Sequence, residues 1–263
     1  MKRLSTFYYV AILLMVFSQC TPPSKNEISL AGEWDVKLDS LNIGHNEDWA
    51  ENKFAGTKLQ LPGTLDDAKI GTKNTLEPAM DNYVLSHLTR KHQYIGAAWY
   101  QREIDIPNSW ADKQIYLELE RVLWESQMYL DGKKIGSRES LSASHQYNLT
   151  EQVTPGRHLL TIRIDNSNKY PNINREGTRY PDIISKDMTH AYTNHTQIKW
   201  NGIIGDILLT ASEKNAPKNI QIYPHVEGNT LRIVFEQEEP KPDNFEYEIV
   251  AKNNKVIYRS SIE

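Results

Sequence analysis

The chain has 263 residues, a formal net charge of -4 and a hydrophobic share of 39%. This length allows one large or two modest domains, and the slight acidic balance, without a basic run, argues against nucleic-acid binding. Cys20 is the single cysteine, which excludes an intrachain disulfide and a thiolate metal cluster.

The first twenty residues have the pattern of an export signal. Two basic residues precede the apolar run Phe7–Phe17, which is too short to span a membrane. The order of residues resembles a bacterial lipoprotein signal cleaved before Cys20, although Gln19 stands where a small residue is usual. Residues 21–28 would then be a polar tether. An ordinary secretory signal is the alternative; both predict an exported protein, and the first predicts a lipid anchor facing the periplasm or cell surface.

The chain reads as β-structure from Leu30 onward. Apolar residues occupy every second position in Trp34–Leu38, which predicts a strand with one buried face. The segment His45–Ala55 fits either a helical turn or a loop, and Leu59–Thr64 predicts a short strand that ends in a Pro-Gly turn. Residues 65–93 are polar and irregular, as long functional loops often are.

Further strand patterns follow in the middle of the chain. In the predicted strand Trp99–Ile106, Arg102 shares a face with apolar residues and therefore needs a carboxylate or carbonyl partner. The residues of Ile115–Glu120 alternate cleanly, as do those of Leu160–Ile164. Between them, Asp131–Gly132 is a strong hairpin turn signal.

These patterns predict an all-β fold. Short strands at close spacing, without sustained helical periodicity, favour a jelly-roll (galactose-binding-like) β-sandwich at residues 29–212. Residues 212–218 read as a linker. A second unit at residues 219–263 contains about four predicted strands, fewer than the roughly seven of an immunoglobulin-like sandwich, so we expect only part of such a domain.

The segment Thr189–Gly205 is the most suggestive stretch for function. A polar loop that leads into a strand is a common way for an all-β scaffold to present a ligand site. The side chains of His190, Asn194 and His195 both donate and accept hydrogen bonds, which suits sugar hydroxyls, and Tyr192 is the candidate stacking aromatic. The alternative is that these side chains cap the backbone of their own loop. His190 and His195 are five residues apart and could also bind a metal ion, but a third ligand is not evident. Neither a metal nor a cofactor is predicted.

Several motifs together resemble a known family. They are Gly32–Trp34, Leu61–Asp66, Tyr94–Arg102, Glu120–Ser126, Tyr129–Gly136, Leu159–Asn166 and Trp200–Gly205. In this order they resemble the N-terminal sugar-binding domain of glycoside hydrolase family 2, the family of β-galactosidases and β-glucuronidases. The resemblance covers Leu30–Thr210, and Asn219–Glu263 is similar to the start of the family's immunoglobulin-like domain.

The resemblance implies how function is divided along such a protein. In the family a catalytic barrel follows these domains and carries two glutamates, whose carboxyl groups stand about 5–5.5 Å apart in a retaining mechanism. These glutamates would lie beyond Glu263, so we expect residues 1–263 to contain no catalytic residue and to be inactive alone. The resemblance also implies sugar contacts from Thr189–Gln197, where His190 replaces an aspartate of relatives, and from Tyr83–Gln93.

Two other functions are also compatible with the sequence. One is a standalone carbohydrate-binding lipoprotein without catalysis, and the other is a docking module whose unpaired strand edges associate with another chain. Arg102 and Glu125 are expected to have internal partners rather than ligand contacts. Four tryptophans in strand patterns are expected in the core: Trp34, Trp99, Trp124 and Trp200.

Overall fold

The computed structural model describes residues 26–75, 91–140, 142–167, 200–228, 230–236, 245–250 and 256–262. Up to residue 212 the described strands are β1 (Glu27–Ser29), β2 (Gly32–Asp39), β3 (Thr57–Leu61), β4 (Gly63–Thr64), β5 (Thr72–Lys73), β6 (His92–Gln93), β7 (Ala97–Ile106), β8 (Gln114–Val122), β9 (Glu125–Leu130), β10 (Lys133–Glu139), β11 (His145–Asn148), β12 (Gly156–Asp165) and β13 (Gly202–Ser212). Within these ranges the only helical element is the 3-10 turn Asn108–Trp110, which confirms the all-β prediction. The described residues contain no helix with the length and apolar character to cross a membrane.

Two antiparallel sheets form a β-sandwich. One has the strand order β1–β13–β8–β11, with β4 also paired to β13, and the other has the order β10–β9–β12–β7–β2–β3. The hairpin predicted at Asp131–Gly132 connects β9 and β10, and both turn residues have positive φ, 49° and 82°. The Asp-Gly pair suits this turn because Gly, and to a lesser degree Asp, tolerates that backbone region.

The main core lies between the two sheets. Alternate residues of the six-stranded sheet, such as Trp34 and Ile162, pack with Leu117 and Leu209 of the facing sheet in one buried cluster. Each large apolar side chain buried in this way stabilises the fold by about 1.5–3 kcal/mol. Arg102 on β7 is half-buried, and its Nη1 donates to the carbonyl oxygens of Leu30 at 2.7 Å and Ala31 at 3.1 Å. The predicted need for a carbonyl partner is confirmed.

A second, smaller core covers the outer face of the six-stranded sheet. Trp99 points away from the main core and is buried with Trp49 and Tyr129 beneath consecutive turns that follow β2. The Asp39 carboxylate organises these turns, because it accepts hydrogen bonds from Gly44 N at 3.1 Å and Trp99 Nε1 at 2.9 Å. Burial on both faces explains why the sequence of β7 does not alternate.

The first strand of the sandwich begins earlier in the chain than the predicted tether allows. Glu27 pairs with Thr210, so the first strand begins inside residues 21–28, which were expected to form the tether. The sandwich ends at Ser212, where β13 ends.

The described residues of the second unit form four strands, where about four were predicted: β14 (Lys218–His225), β15 (Thr230–Glu236), β16 (Phe245–Val250) and β17 (Val256–Ile262). They form two separate two-stranded antiparallel sheets, β14–β15 and β16–β17. Apolar side chains of the first hairpin are exposed, among them Ile222 and Val226. The assignment to an immunoglobulin-like domain stays a prediction.

Candidate functional site

The residues predicted from sequence to act as ligands or anchors lie outside the described part of the chain: Cys20, His190, Tyr192, Asn194 and His195. The structure does describe the residues on either side of the polar segment, Ser167 and Trp200. The candidate site is therefore built from the scaffold that positions the two ends of residues 168–199.

Asn166 joins the two ends of this segment. It is fully buried at the end of β12, and its Nδ2 donates to Trp200 O at 3.0 Å and to Tyr94 O at 3.0 Å. Its Oδ1 accepts a hydrogen bond from Gly96 N at 2.9 Å. One carboxamide thus links the chain before β7, after β12 and before β13.

Asn201 completes this connection from the other side. Its Nδ2 donates to Gly96 O at 3.0 Å, and its Oδ1 accepts from Tyr100 Oη at 2.6 Å. Burial raises the pKa of Tyr100 well above its ordinary value, so the phenol stays protonated and donates this bond. The buried pair of Asn166 and Asn201, called here the asparagine pair, fixes three chain segments at one end of the sandwich.

The second predicted sugar-contacting stretch, Tyr83–Gln93, returns to the same end. Its described residues include β6, which pairs with β5, and the Asp66 carboxylate accepts a hydrogen bond from His92 N at 2.6 Å. Leu65 N donates to Asn201 O at 2.9 Å. The bases of both predicted sugar loops are therefore adjacent and are tied to the asparagine pair.

Aromatic packing supports the base of residues 168–199. Trp124 is buried, packs with Leu123 and the half-buried Trp200, and donates from Nε1 to Ser167 O at 3.1 Å. Trp124 is therefore a buried core residue, as predicted, whereas Trp200, which was also expected in the core, is only half-buried. Trp34 and Trp99, at 1% and 0% exposure, are confirmed as core residues.

Sequence reasoning missed the asparagine pair, although a signal was present. Asn166 continues the inward-facing series of Ile162 and Ile164, and Asn201 precedes the buried Ile203 by two positions. A polar residue at an inward position at the end of a strand needs hydrogen-bond partners. The alternation therefore indicated buried amides, but only the fold shows which chain segments they join.

Other chemistry finds little support among the described residues. Ser126 Oγ lies 2.6 Å from His145 Nδ1 and 2.6 Å from Tyr147 Oη. Ser126 and His145 are both fully buried, which leaves a substrate no access, and burial lowers the pKa of His145. Within the described ranges, no group of three or more His, Cys, Asp or Glu side chains is arranged to hold a metal ion.

Known proteins share this fold and sequence pattern. Residues 28–204 match the family described as glycosyl hydrolases family 2, sugar binding domain. A β-galactosidase of Thermoanaerobacter pseudethanolicus is 22% identical over 147 residues, which cover 55% of this chain and 17% of that protein.

Solved structures agree in fold. A β-glucuronidase from an uncultured Clostridium species aligns with a TM-score of 0.65 and 18% identity over 90% of this chain and 38% of its own. The Ruminococcus gnavus β-glucuronidase aligns with a TM-score of 0.64 and 15% identity over 91% and 38%. The chain therefore spans well under half of these relatives. Because the family match covers more than half of its residues, this chain belongs to glycosyl hydrolases family 2, within the sugar binding domain of that family.

Proposed function

We propose that this chain is the N-terminal sugar-binding portion of a longer family 2 glycosidase and that its loops contact a β-glycoside or oligosaccharide. The observation that carries the proposal is the arrangement of the loop bases: the asparagine pair joins the two ends of residues 168–199 and lies beside the base of the second loop. A rigid scaffold that positions polar loops is the usual architecture of a binding site.

We assign the sugar contacts to four residues: His190, Tyr192, Asn194 and His195. Imidazole and carboxamide groups can match the donor and acceptor pattern of a sugar edge. The ring of Tyr192 would supply an apolar face with a polar tip. Hydrolysis itself is assigned to a carboxyl pair outside residues 1–263, so the function proposed for this chain is recognition.

Titration of the chain with methyl β-D-galactopyranoside and methyl β-D-glucopyranosiduronic acid, followed by NMR, tests this function. We expect weak binding of at least one glycoside. The change His190→Ala should weaken it about three- to tenfold, the usual effect of losing one hydrogen bond. His225→Ala, in the second unit, is the matched control and should leave the affinity unchanged.

Two results would contradict the proposal. Absence of any glycoside binding by the unchanged chain would remove the recognition function. Release of 4-nitrophenol from 4-nitrophenyl β-glycosides, above the blank rate, would place catalysis within residues 1–263. It would contradict the assignment of hydrolysis to a carboxyl pair outside these residues.

We also propose that the protein is exported and anchored by lipid at Cys20. The support comes from the sequence alone, since a short apolar run precedes this cysteine and a polar stretch follows it. A lipid on the N-terminal cysteine would hold the sandwich close to a membrane surface, where its loops could meet extracellular or periplasmic saccharides.

A further inference from the structure

A cleft of about 360 Å³ lies on the outer face of the six-stranded sheet. It lies over β9 and β12, and the turns after β2 contribute Asn42 and His45 to its wall. Ser167 also lines it, so the cleft adjoins the base of residues 168–199. Its volume falls at the lower end of the range for small-molecule sites.

Three acidic residues stand in register on neighbouring strands and line this cleft. Glu125 pairs in register with Glu139 on one side and with Asp165 on the other, and all three residues line the cleft. Like charges placed directly opposite each other on a sheet are destabilising. The arrangement therefore costs stability unless cations or hydrogen-bond donors compensate it.

Arg163 supplies part of this compensation. It is only 5% exposed, and its Nη2 donates to Asn42 Oδ1 at 2.9 Å and to Asp165 Oδ2 at 2.9 Å. Its Nε is buried and has no hydrogen-bond partner among the described residues. A guanidinium carries five N–H donors, so the buried cation holds one carboxylate while part of its donor capacity remains unused.

Gln127 and His45, which also line the cleft, add no positive charge to it. Glu125 has the internal partner expected from the sequence, because Gln127 Nε2 donates to its Oε1 at 2.6 Å, and Gln127 Oε1 accepts from Lys134 Nζ at 3.3 Å. The ligand contact proposed below for Glu125 departs from that expectation. Burial, followed by the charge of Arg163, lowers the pKa of His45, so its ring adds no positive charge at neutral pH.

Asp165 stays ionised at neutral pH. Burial acts to raise its pKa, but hydrogen bonds from Ser167 and the charge of Arg163 outweigh burial, and the pKa is lowered. A carboxylate offers roughly four acceptor positions, so Asp165 can accept further donors beyond those already in place. Hydroxyl groups are the donors that fit this surplus without adding charge.

We propose that this cleft binds one neutral sugar ring, whose hydroxyls donate to Glu125 and Asp165 and accept from Asn42 and Arg163. The inference rests on the carbohydrate function proposed above and adds a contact surface on the sheet face beside the loops. A neutral ring fits better than a uronic acid, because a carboxylate on the ring would face the three acidic side chains that stand in register across β10, β9 and β12.

Titration of the full chain with methyl β-D-glucopyranoside tests this proposal. The readouts are the dissociation constant and the NMR signal of Arg163 Nε–H, which a sugar in the cleft should shift. Asn42→Ala and Glu125→Gln should each weaken binding about three- to tenfold. Glu103→Gln changes an acidic residue on the same sheet face but outside the cleft, and should leave the affinity unchanged.

The same ring with a carboxylate at C6, methyl β-D-glucopyranosiduronic acid, should bind the cleft less tightly and shift the Arg163 signal less. Equal or tighter binding of the uronide at this signal would contradict the charge argument and overturn the proposal. Circular dichroism and thermal unfolding verify that each variant is folded.

The outcomes separate this inference from the function on which it rests. If His190→Ala weakens binding while the two cleft variants and the Arg163 signal stay unchanged, the cleft proposal is wrong and the loop function stands. If the cleft variants alone weaken binding, the loop assignment fails and the cleft is the sugar site. If the unchanged chain binds none of the three methyl glycosides, both proposals fail.

Discussion

Two buried carboxamides set the geometry of the candidate site at the scale of single residues. Asn166 and Asn201 form hydrogen bonds with backbone groups that are not paired within the sheets, because those groups lie where the chain enters or leaves the strands. The carbonyl oxygens of Tyr94 and Gly96 both accept hydrogen bonds from this pair. Without the amides, these half-buried carbonyl oxygens would lose their partners, and an unsatisfied polar group shielded from water costs more than a hydrogen bond contributes.

Replacement of Asn166 by Ala is expected to lower the free energy of unfolding by about 3 kcal/mol. The change removes three partly buried hydrogen bonds and leaves Gly96 N and the carbonyl oxygens of Tyr94 and Trp200 without these partners. Chemical denaturation measures the loss. Asn52→Ala, at an exposed position, should change stability by less than about 0.5 kcal/mol, and equal losses in both variants would contradict the structural role.

Strand elements show where the sequence was informative. The hairpin at Asp131–Gly132 and the alternating strands were predictable because turn chemistry and period-two burial are local properties. The strand Ala97–Ile106 was harder, since Tyr100 faces the main core while Trp99 is buried on the opposite face. Its second cover comes from turns distant in sequence, which no local pattern reveals.

The hairpin turn is also held to the neighbouring strand by a titratable contact. Asp131 Oδ2 lies 2.6 Å from His158 Nδ1, and His158 Nε2 lies 2.6 Å from Thr154 O. Burial alone lowers the pKa of His158, but the hydrogen bonds to Asp131 and to the carbonyl of Thr154 outweigh it and raise the pKa above 6.5. The protonated ring donates to both acceptors.

This contact predicts a pH-dependent contribution to stability. Because the folded pKa is raised, the contribution is complete below the unfolded pKa and is lost as the pH rises through the folded pKa. His158→Gln should therefore destabilise more at pH 5.5 than at pH 8.5, by about 1 kcal/mol or less given the exposed carboxylate. Urea unfolding at both pH values measures this. Arg157→Gln should show no such difference, and a pH-independent loss for His158→Gln would refute the assignment.

At the scale of the whole molecule, the described residues form a well-packed sandwich followed by a second unit with less buried apolar surface. Residues up to Ser212 bury a core between two sheets, whereas the described strands beyond it form two hairpins, with Val226 84% exposed. Two-stranded hairpins are marginally stable without further cover. The sequence predicted the fold class and the order of strands well, because alternation is a strong signal. It did not predict the pairing order of the sheets or the cleft, which depend on contacts between distant strands.

The proposed export and lipid anchor concern the whole molecule. If Cys20 is lipidated, cells fed a radiolabelled fatty acid should incorporate the label into the protein, and detergent should be needed to extract it. Cys20→Ser should remove the label and release the protein from the membrane fraction, while Ser18→Ala, two positions earlier, should retain both. Unlabelled but exported wild-type protein would instead support an ordinary secretory signal.

The hydrogen bond between Asn166 and Trp200 has a consequence for protein engineering. Asn166, next to one end of residues 168–199, donates a hydrogen bond of 3.0 Å to Trp200 O at the other end, so a replacement segment would begin and end at fixed points of the described sandwich. Doubling the length of a flexible loop costs only about 0.6 kcal/mol. Grafting a foreign recognition segment between Ser167 and Trp200 should therefore alter specificity while the scaffold keeps its fold, which makes this end of the sandwich a natural acceptor for new binding loops.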